Sequence, residues 1–294
     1  MKTLLIVIIG FIFTNGFAQN SIDLANVYWR TSPANKIENS KEQIFMNMVA
    51  IDFKLPIVLD DKNILIFGTE YQQTTLQSTN RELYAENFSS TALQIGYGHR
   101  WNTKSKVLLM SFTRLNSDFG NFSINQLQQG GLVLGTTART SNFDWKYGMY
   151  YNAEFFGPMF VPLFGFNWKM NEKWRLKLVI PLNFELSYKP NTTFITGLRF
   201  DGVNASYRTK RNNYIDKADN NLWFFAEKNI GKNIWFHVKA GYSILRKYRT
   251  YEGDEQMNFK VGPVNFGDQR KDATSRFENG LSLEARFIYR LPLK

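Results

Sequence analysis

Between Asn233 and Ile244, the apolar residues Ile234, Phe236, Val238, Ala240, Tyr242 and Ile244 alternate with His237, Lys239, Gly241 and Ser243. In an extended strand, successive side chains point to opposite faces, so this stretch has one face that rejects water and one that accepts it. The same rhythm returns at 144–155, 174–188 and 281–291. Taken along the chain it predicts fourteen strands, at 23–31, 42–57, 62–75, 90–102, 105–117, 128–139, 143–154, 159–169, 172–180, 183–189, 193–208, 221–229, 233–247 and 277–291. The Pro181-Leu182 corner also reads as a bend inside one longer strand, and 23–31 is weakly patterned, so twelve strands is the alternative. Tight turns at 60–62, 102–104, 140–142, 170–172, 190–191 and 230–232 alternate with other connections, four of them long and polar, at 32–41, 76–89, 209–220 and 248–276. Two connections on the long side are short, Phe155 to Pro158 and Pro181-Leu182. This is the alternation of an all-β, antiparallel up-and-down membrane barrel, with short periplasmic turns, longer outer loops and both termini in the periplasm.

The phase assigns the faces, because lipid tolerates charge poorly. Over 143–154 the outward set is Phe143, Trp145, Tyr147, Met149, Tyr151 and Ala153; Asp144, Lys146 and Glu154 point inward. The next hairpin turns Arg175, Lys177, Glu185 and Lys189 inward, and the later strands add Arg199, His237, Lys239, Glu284 and Arg286 to the lumen. Trp101, Trp168, Trp174 and Trp235 lie beside short turns, where an aromatic girdle is expected. One apolar face also suits a β-sandwich or a lipocalin-like barrel with that face inside, but strands of twelve residues and aromatic-flanked turns favour the membrane arrangement. Leu222-Trp223-Phe224-Phe225 is apolar on both faces and fits neither pattern.

Met1-Lys2-Thr3, the apolar run Leu4 to Phe13 and Gly16-Phe17-Ala18 form the three parts of a secretory signal, cut before Gln19. The remainder, 19–294, shows no linker and reads as one barrel domain, without a plug because so little precedes the first strand. No later segment has about 18 consecutive apolar residues, so insertion must use strands. The chain has no cysteine, which excludes disulfides and a lipidated cysteine. Hydrophobic residues make up 44% of the sequence and aromatics 16%, the dilute apolar content and ring excess of a barrel. The net charge of +11 would suit nucleic acid, but an exported chain meets lipid phosphates instead, so no nucleic-acid partner is expected.

The segments 167–175, Pro181-Leu182, 186–189, 240–248, 97–101 and the closing 289–294 resemble an uncharacterised family of outer-membrane barrels from Bacteroidota, catalogued as the domain of unknown function DUF6268. The resemblance implies a barrel and no activity. Recognition by the barrel-insertion machinery is expected through Phe287 and Tyr289, since the chain ends Leu-Pro-Leu-Lys.

His237 is the one candidate catalytic group. Ser243 lies six residues along the same strand, roughly 20 Å away, so a partner would come from Glu284 or Ser282 next door. The plain reading is a polar lumen residue. No G-x-S-x-G elbow, phosphate loop or metal cluster appears, and Glu252, Asp254, Glu255, Asp268 and Asp272 match no calcium loop, so no metal or cofactor is expected. Arg208, Lys210, Arg211, Arg246, Lys247 and Arg249 leave two strands at their outer ends, where lipopolysaccharide phosphates would lie. The charge-lined interior suits a passive channel for small polar solutes; an enzyme acting on lipid or peptide and a surface-interaction barrel are the alternatives.

Overall fold

The computed structural model describes residues 21–37, 41–79, 85–118, 126–209, 213–271 and 278–292. The signal segment at 1–18 and the rim cations Lys210 and Arg211 lie outside them. Fourteen strands close an antiparallel barrel: β1 (Ser21–Lys36), β2 (Gln43–Val58), β3 (Asn63–Ser78), β4 (Ala85–Arg100), β5 (Ser105–Ser117), β6 (Leu127–Thr140), β7 (Phe143–Glu154), β8 (Gly157–Lys169), β9 (Trp174–Ile180), β10 (Asn183–Asn191), β11 (Phe194–Arg208), β12 (Tyr214–Gly231), β13 (Ile234–Tyr251) and β16 (Leu281–Pro292). Each strand pairs with its sequence neighbour, β13 with β16, and β16 with β1 to complete the ring. A short hairpin, β14 (Phe259–Val261) and β15 (Val264–Phe266), belongs to the long connection between β13 and β16.

The alternation determines which side of each strand is wet. Outward positions such as Ile51, Leu93, Ile95, Val133, Phe164, Phe224, Leu281 and Phe287 are exposed, whereas their neighbours Glu284, Ser282 and Lys239 are buried inside. A greasy exterior around a polar interior is the inverse of a soluble sandwich, and hydrocarbon is the medium that stabilises it. Leu222 and Phe224 join this outer surface, while Trp223 and Phe225 are buried in the lumen, so the doubly apolar stretch is one lipid-facing pair and one lumenal pair. Trp101, Trp168 and Trp174 lie exposed beside short turns. Trp235 does not: it points inward beneath Arg290, whose guanidinium carbon is 5.0 Å from its ring.

Several short turns share one device. Asp60, Asn102 and Asn171 each use a side-chain oxygen to accept two backbone N–H groups, two and three residues on, at 2.7–2.9 Å. Such an Asx turn satisfies donors that the ladder leaves free where the chain reverses.

The long-loop end departs from a simple cylinder. The β9–β10 hairpin is short, and β9 covers β8 only from Phe164 to Lys169. Above it, β11 to β13 lean into the lumen until Arg208 pairs in parallel with Ser117 of β5. Their inward residues Ala205, Tyr207, Ile215 and Tyr248 bury a core against Ile44, Met46, Leu76 and Phe88, with the Phe88 and Tyr207 ring centroids 4.5 Å apart. This core roofs the barrel.

The leaning strands expose two edges, and both are satisfied. On β8, β14 adds in parallel, Lys260 opposite Met159 and Val261 opposite Phe160, with further bonds from Met257 N–H to Phe156 and from Gly262 N–H to Phe160. On β11, side chains take the place of a strand: the Ser206 N–H donates to Glu154 at 2.8 Å, and its carbonyl accepts from Asn116 at 3.0 Å and Gln128 at 3.3 Å. Replacing Asn171 with Ala removes two turn hydrogen bonds and is expected to cost about 1–2 kcal/mol in urea unfolding of the micelle-embedded barrel. An unchanged midpoint would show that the turn needs no such bond.

Candidate functional site

Half of the lumen is filled by paired charge. Starting at β9, Lys177 bonds Glu185 (3.1 Å), Glu185 meets Arg199 (3.5 Å), Arg199 bonds Asp201 (2.6 Å), Asp201 meets Lys239 (3.4 Å), Lys239 bonds Glu284 (3.1 Å), and Glu284 holds Arg30 (2.6 Å) and Arg286 (2.9 Å). Signs alternate along this belt, so each buried carboxylate has a cation on either side, the condition under which desolvated charges are tolerated. Trp223 reaches into the gap left by β12, with Arg30 and Lys239 at 5.0 and 5.3 Å from its ring.

His237 belongs to a second cluster. Its Nδ1 lies 2.9 Å from Glu227, which also accepts from Arg290, and Arg290 binds Asp23 on β1. The expected partners are engaged elsewhere, Glu284 in the belt and Ser282 with Arg246. The Nε2 of His237 is buried, with no hydrogen-bond partner among the described residues, and the ring stacks on Phe225. A His–Glu dyad with no hydroxyl at its free nitrogen orients a ring and supplies no nucleophile.

The remaining lumen residues divide by height. Glu154 is buried as the surrogate partner of β11. Asp144, Lys146, Arg175 and Lys177 line a chamber of about 410 Å³ at the short-turn end, together with Lys62, Arg100, Lys106 and Lys169. Seven Lys and Arg side chains line it with one carboxylate; even with Lys177 paired to Glu185 and Lys169 to Glu172, cations remain in excess and the mouth is electropositive. Lys189 is exposed beside the short turn and does not line the chamber. A second chamber of about 410 Å³ lies under the roof, lined by Tyr28, Arg30, Glu70, Arg114, Tyr150, Lys217 and others. The two share no lining residue. Inward-facing Met110 and Phe112 of β5, with Leu132 of β6, occupy the levels between them.

The rim cluster does not assemble as expected. Arg246 is buried and bonds Asp219 (3.2 Å), Asn221 and Ser282. A bulge causes this: Asn221 pairs with Ser243 but Asn220 with Leu245, so Ile244 is an extra residue that reverses the inside–outside phase of β13 beyond it. Arg246 and Tyr248 therefore turn inward and Lys247 stays exposed. Arg208 packs over the Phe155 ring at 4.6 Å, and Arg249 is half-buried on the outward side. Arg30, Asp219 and Glu227 were not singled out in the sequence, yet each follows the phase of its own strand.

The long connection is fastened by Arg270. Its guanidinium is buried 4.2 Å from the Tyr251 ring centroid and donates to Tyr214 (3.1 Å) and Asp216 (3.2 Å). Asp268 completes the latch with two bonds to the same guanidinium, at 2.8 and 3.0 Å. These bonds, outside the spanning wall, lower the Asp268 carboxyl from 3.8 to about 2.

A model of a domain of unknown function, DUF6268, matches residues 15–290. The chain belongs to the DUF6268 family. No curated protein sequence matches it. Among solved structures it is similar to the COG4313 outer membrane channel from Pseudomonas putida F1, with a TM-score of 0.53 and 8% identity over 94% of this chain and 97% of that one. The translocator domain of the autotransporter NalP from Neisseria meningitidis aligns more loosely, with a TM-score of 0.41 and 10% identity over 93% and 90% of the two chains. The first likeness shows a shared fold, that of outer-membrane barrels.

Two outcomes check these placements. Arg246→Met leaves the Asp219 carboxylate buried without its cation and is expected to cost about 3–5 kcal/mol, against about 0.5 or less for Lys247→Met; equal costs would contradict the bulge. The Asp268 pKa is depressed in the folded state, so its contribution is full above about pH 4 and is lost as pH falls toward 2. Hydrogen-exchange protection across 252–271, taken relative to the intrinsic amide rate at each pH, should fall in that window in the wild type and be low throughout in Asp268→Asn. Protection that does not change with pH in the wild type would remove Asp268 from the latch.

Proposed function

We propose that the protein is an outer-membrane channel for small anionic solutes, with its short turns in the periplasm and its roof outward, held here in a closed state. The observation that carries this reading is the electropositive chamber at the short-turn mouth, seven cations around Asp144. A low-dielectric cleft lined by one sign of charge concentrates counter-ions at its entrance, and rings of Lys and Arg select anions in pores. The belt above it carries five cations to three carboxylates, so its residual charge has the same sign as the mouth. Conduction requires the roof to part, and the latched connection over β8 and β11 is the part of the wall held by the fewest ladder bonds. Delivery to the membrane would use the closing strand, with Phe287 and Tyr289 outward, and exposed Lys247 would face lipopolysaccharide phosphates.

Planar-bilayer recording tests this. The wild type is expected to pass brief, small currents, and a variant lacking 252–271 steady ones, with the reversal potential in a salt gradient displaced toward that of chloride. Lys106→Met, Lys146→Met and Arg175→Met together should abolish the anion preference. Cation preference in the open variant, an unchanged preference in the triple variant, or no current from either barrel would contradict the proposal.

A further inference from the structure

The upper chamber lies beneath the roof core and behind a short-stranded flank. Among the described residues, Ile44, Met46, Leu76, Phe88, Tyr207, Ile215 and Tyr248 pack together above it. On its outer side the lining comes from two hairpin tips, Pro181 and Leu182 of β9–β10 below, Gly262 and Pro263 of β14–β15 above. The upper tip joins two strands of three residues, of which β14 pairs with β8 at two positions. Such a panel opens at low cost compared with a full-length strand. The surface around it is apolar and exposed, with Phe160, Ile180, Phe259, Val264 and Phe266 all facing outward. A gap here leads into hydrocarbon rather than water.

Inside, the charges do not cancel. Among the lining residues Arg30 is paired with Glu284, and Asp219 with Arg246. Arg114, Lys217 and Glu70 remain, one cation in excess. Lys217 is 2% exposed, and among the described residues no hydrogen bond or ion pair reaches its ammonium, which sits 5.5–6.0 Å from the rings of Tyr248, Phe88 and Tyr207. Three ring faces soften the loss of water but do not replace an anion. Opposite, Met48, Met159, Val161 and Leu182 supply an apolar surface.

We propose that this chamber binds a single-chain anionic amphiphile, an alkyl carboxylate, which exchanges with the membrane sideways between the two hairpin tips. The carboxylate meets Lys217 and Arg114, and the chain lies along Met159, Val161 and Leu182 toward the flank. A volume of about 410 Å³ lies near the lower end of small-molecule sites, which favours one acyl chain over a multi-chain lipid. The site shares no lining with the anion chamber below and does not depend on it.

The test uses the full chain in lipid nanodiscs, with radiolabelled decanoate and the uncharged decanol as probes and empty nanodiscs as background. Decanoate should bind saturably, and Lys217→Met should weaken it about tenfold or more, the loss of one charge-assisted bond. Lys217→Arg should retain binding, and decanol should be indifferent to both changes. Because the chain has no cysteine, Phe160→Cys with Val261→Cys places one thiol pair on neighbouring strands, within disulfide reach. Oxidation should slow decanoate loading at least about tenfold, and reduction of the same sample should restore it. Non-saturable decanoate, wild-type affinity in Lys217→Met, or equal loading by oxidised and reduced barrels would overturn the proposal.

Discussion

A strand edge facing hydrocarbon must be paired, because no water is there to bond its amides. Most of this barrel meets that demand by ring closure, with β16 joined to β1. The short β9–β10 hairpin breaks the rule locally, and the long-loop end is organised around the repair. β14 covers the free edge of β8, while Glu154, Asn116 and Gln128 cover that of β11. Polar residues on the outward phase of β11 and β12 then make sense. Asn204 meets Lys260 at 3.1 Å, Ser206 meets Glu154, and Asp216 meets Arg270, so each is roofed over rather than presented to lipid.

The same closure leaves an interior that must be filled. On the β9-to-β1 side, alternating ion pairs occupy it; on the β5-to-β8 side, Met110, Phe112, Leu132 and Leu163 do. What stays empty is a cationic mouth below and a mixed chamber below the roof, separated by packed side chains. Their linings differ in kind. The lower sets seven cations and one carboxylate beside the aliphatic side chains Ile22, Ile64, Ile66, Val107, Leu108 and Leu134. The upper is half apolar and opens toward the flank, suited to a molecule with two ends.

Much of the architecture was legible in the sequence. All fourteen strands were found, because lipid on one side and charge on the other impose a period of two on most strand cores, with 23–31 and the doubly apolar Leu222 to Phe225 the weakest. Many strand ends were read short, most of all for β12, whose first residues 214–220 carry polar groups on both faces, while the closing strand was read too long at its start, from 277 against Leu281. Those faces meet the roof and the latched connection rather than lipid, so the alternation that marks a membrane strand is absent there. The bulge at Ile244 left no local mark, and it alone moved Arg246 from the rim to the lumen. The hairpin at 259–266 does carry a signal, Phe259 and Val261 against Val264 and Phe266 across Gly262-Pro263, hidden in a connection that reads as polar. Phase identified the lumenal charges; which charge meets which depended on strand stagger and bulges, and those the sequence leaves open.

The central claim is that side chains of one phase face hydrocarbon and those of the other face a closed, charge-paired interior. Nitroxide labels placed singly at successive positions from 281 to 290 of the cysteine-free chain, in bilayers, read this directly. Oxygen should broaden the spectra at Leu281, Leu283, Phe287 and Tyr289 and spare those at Ser282, Glu284 and Arg286, with a period of two. A reversed phase, or aqueous relaxation agents reaching the apolar positions freely, would contradict the arrangement on which both chambers rest.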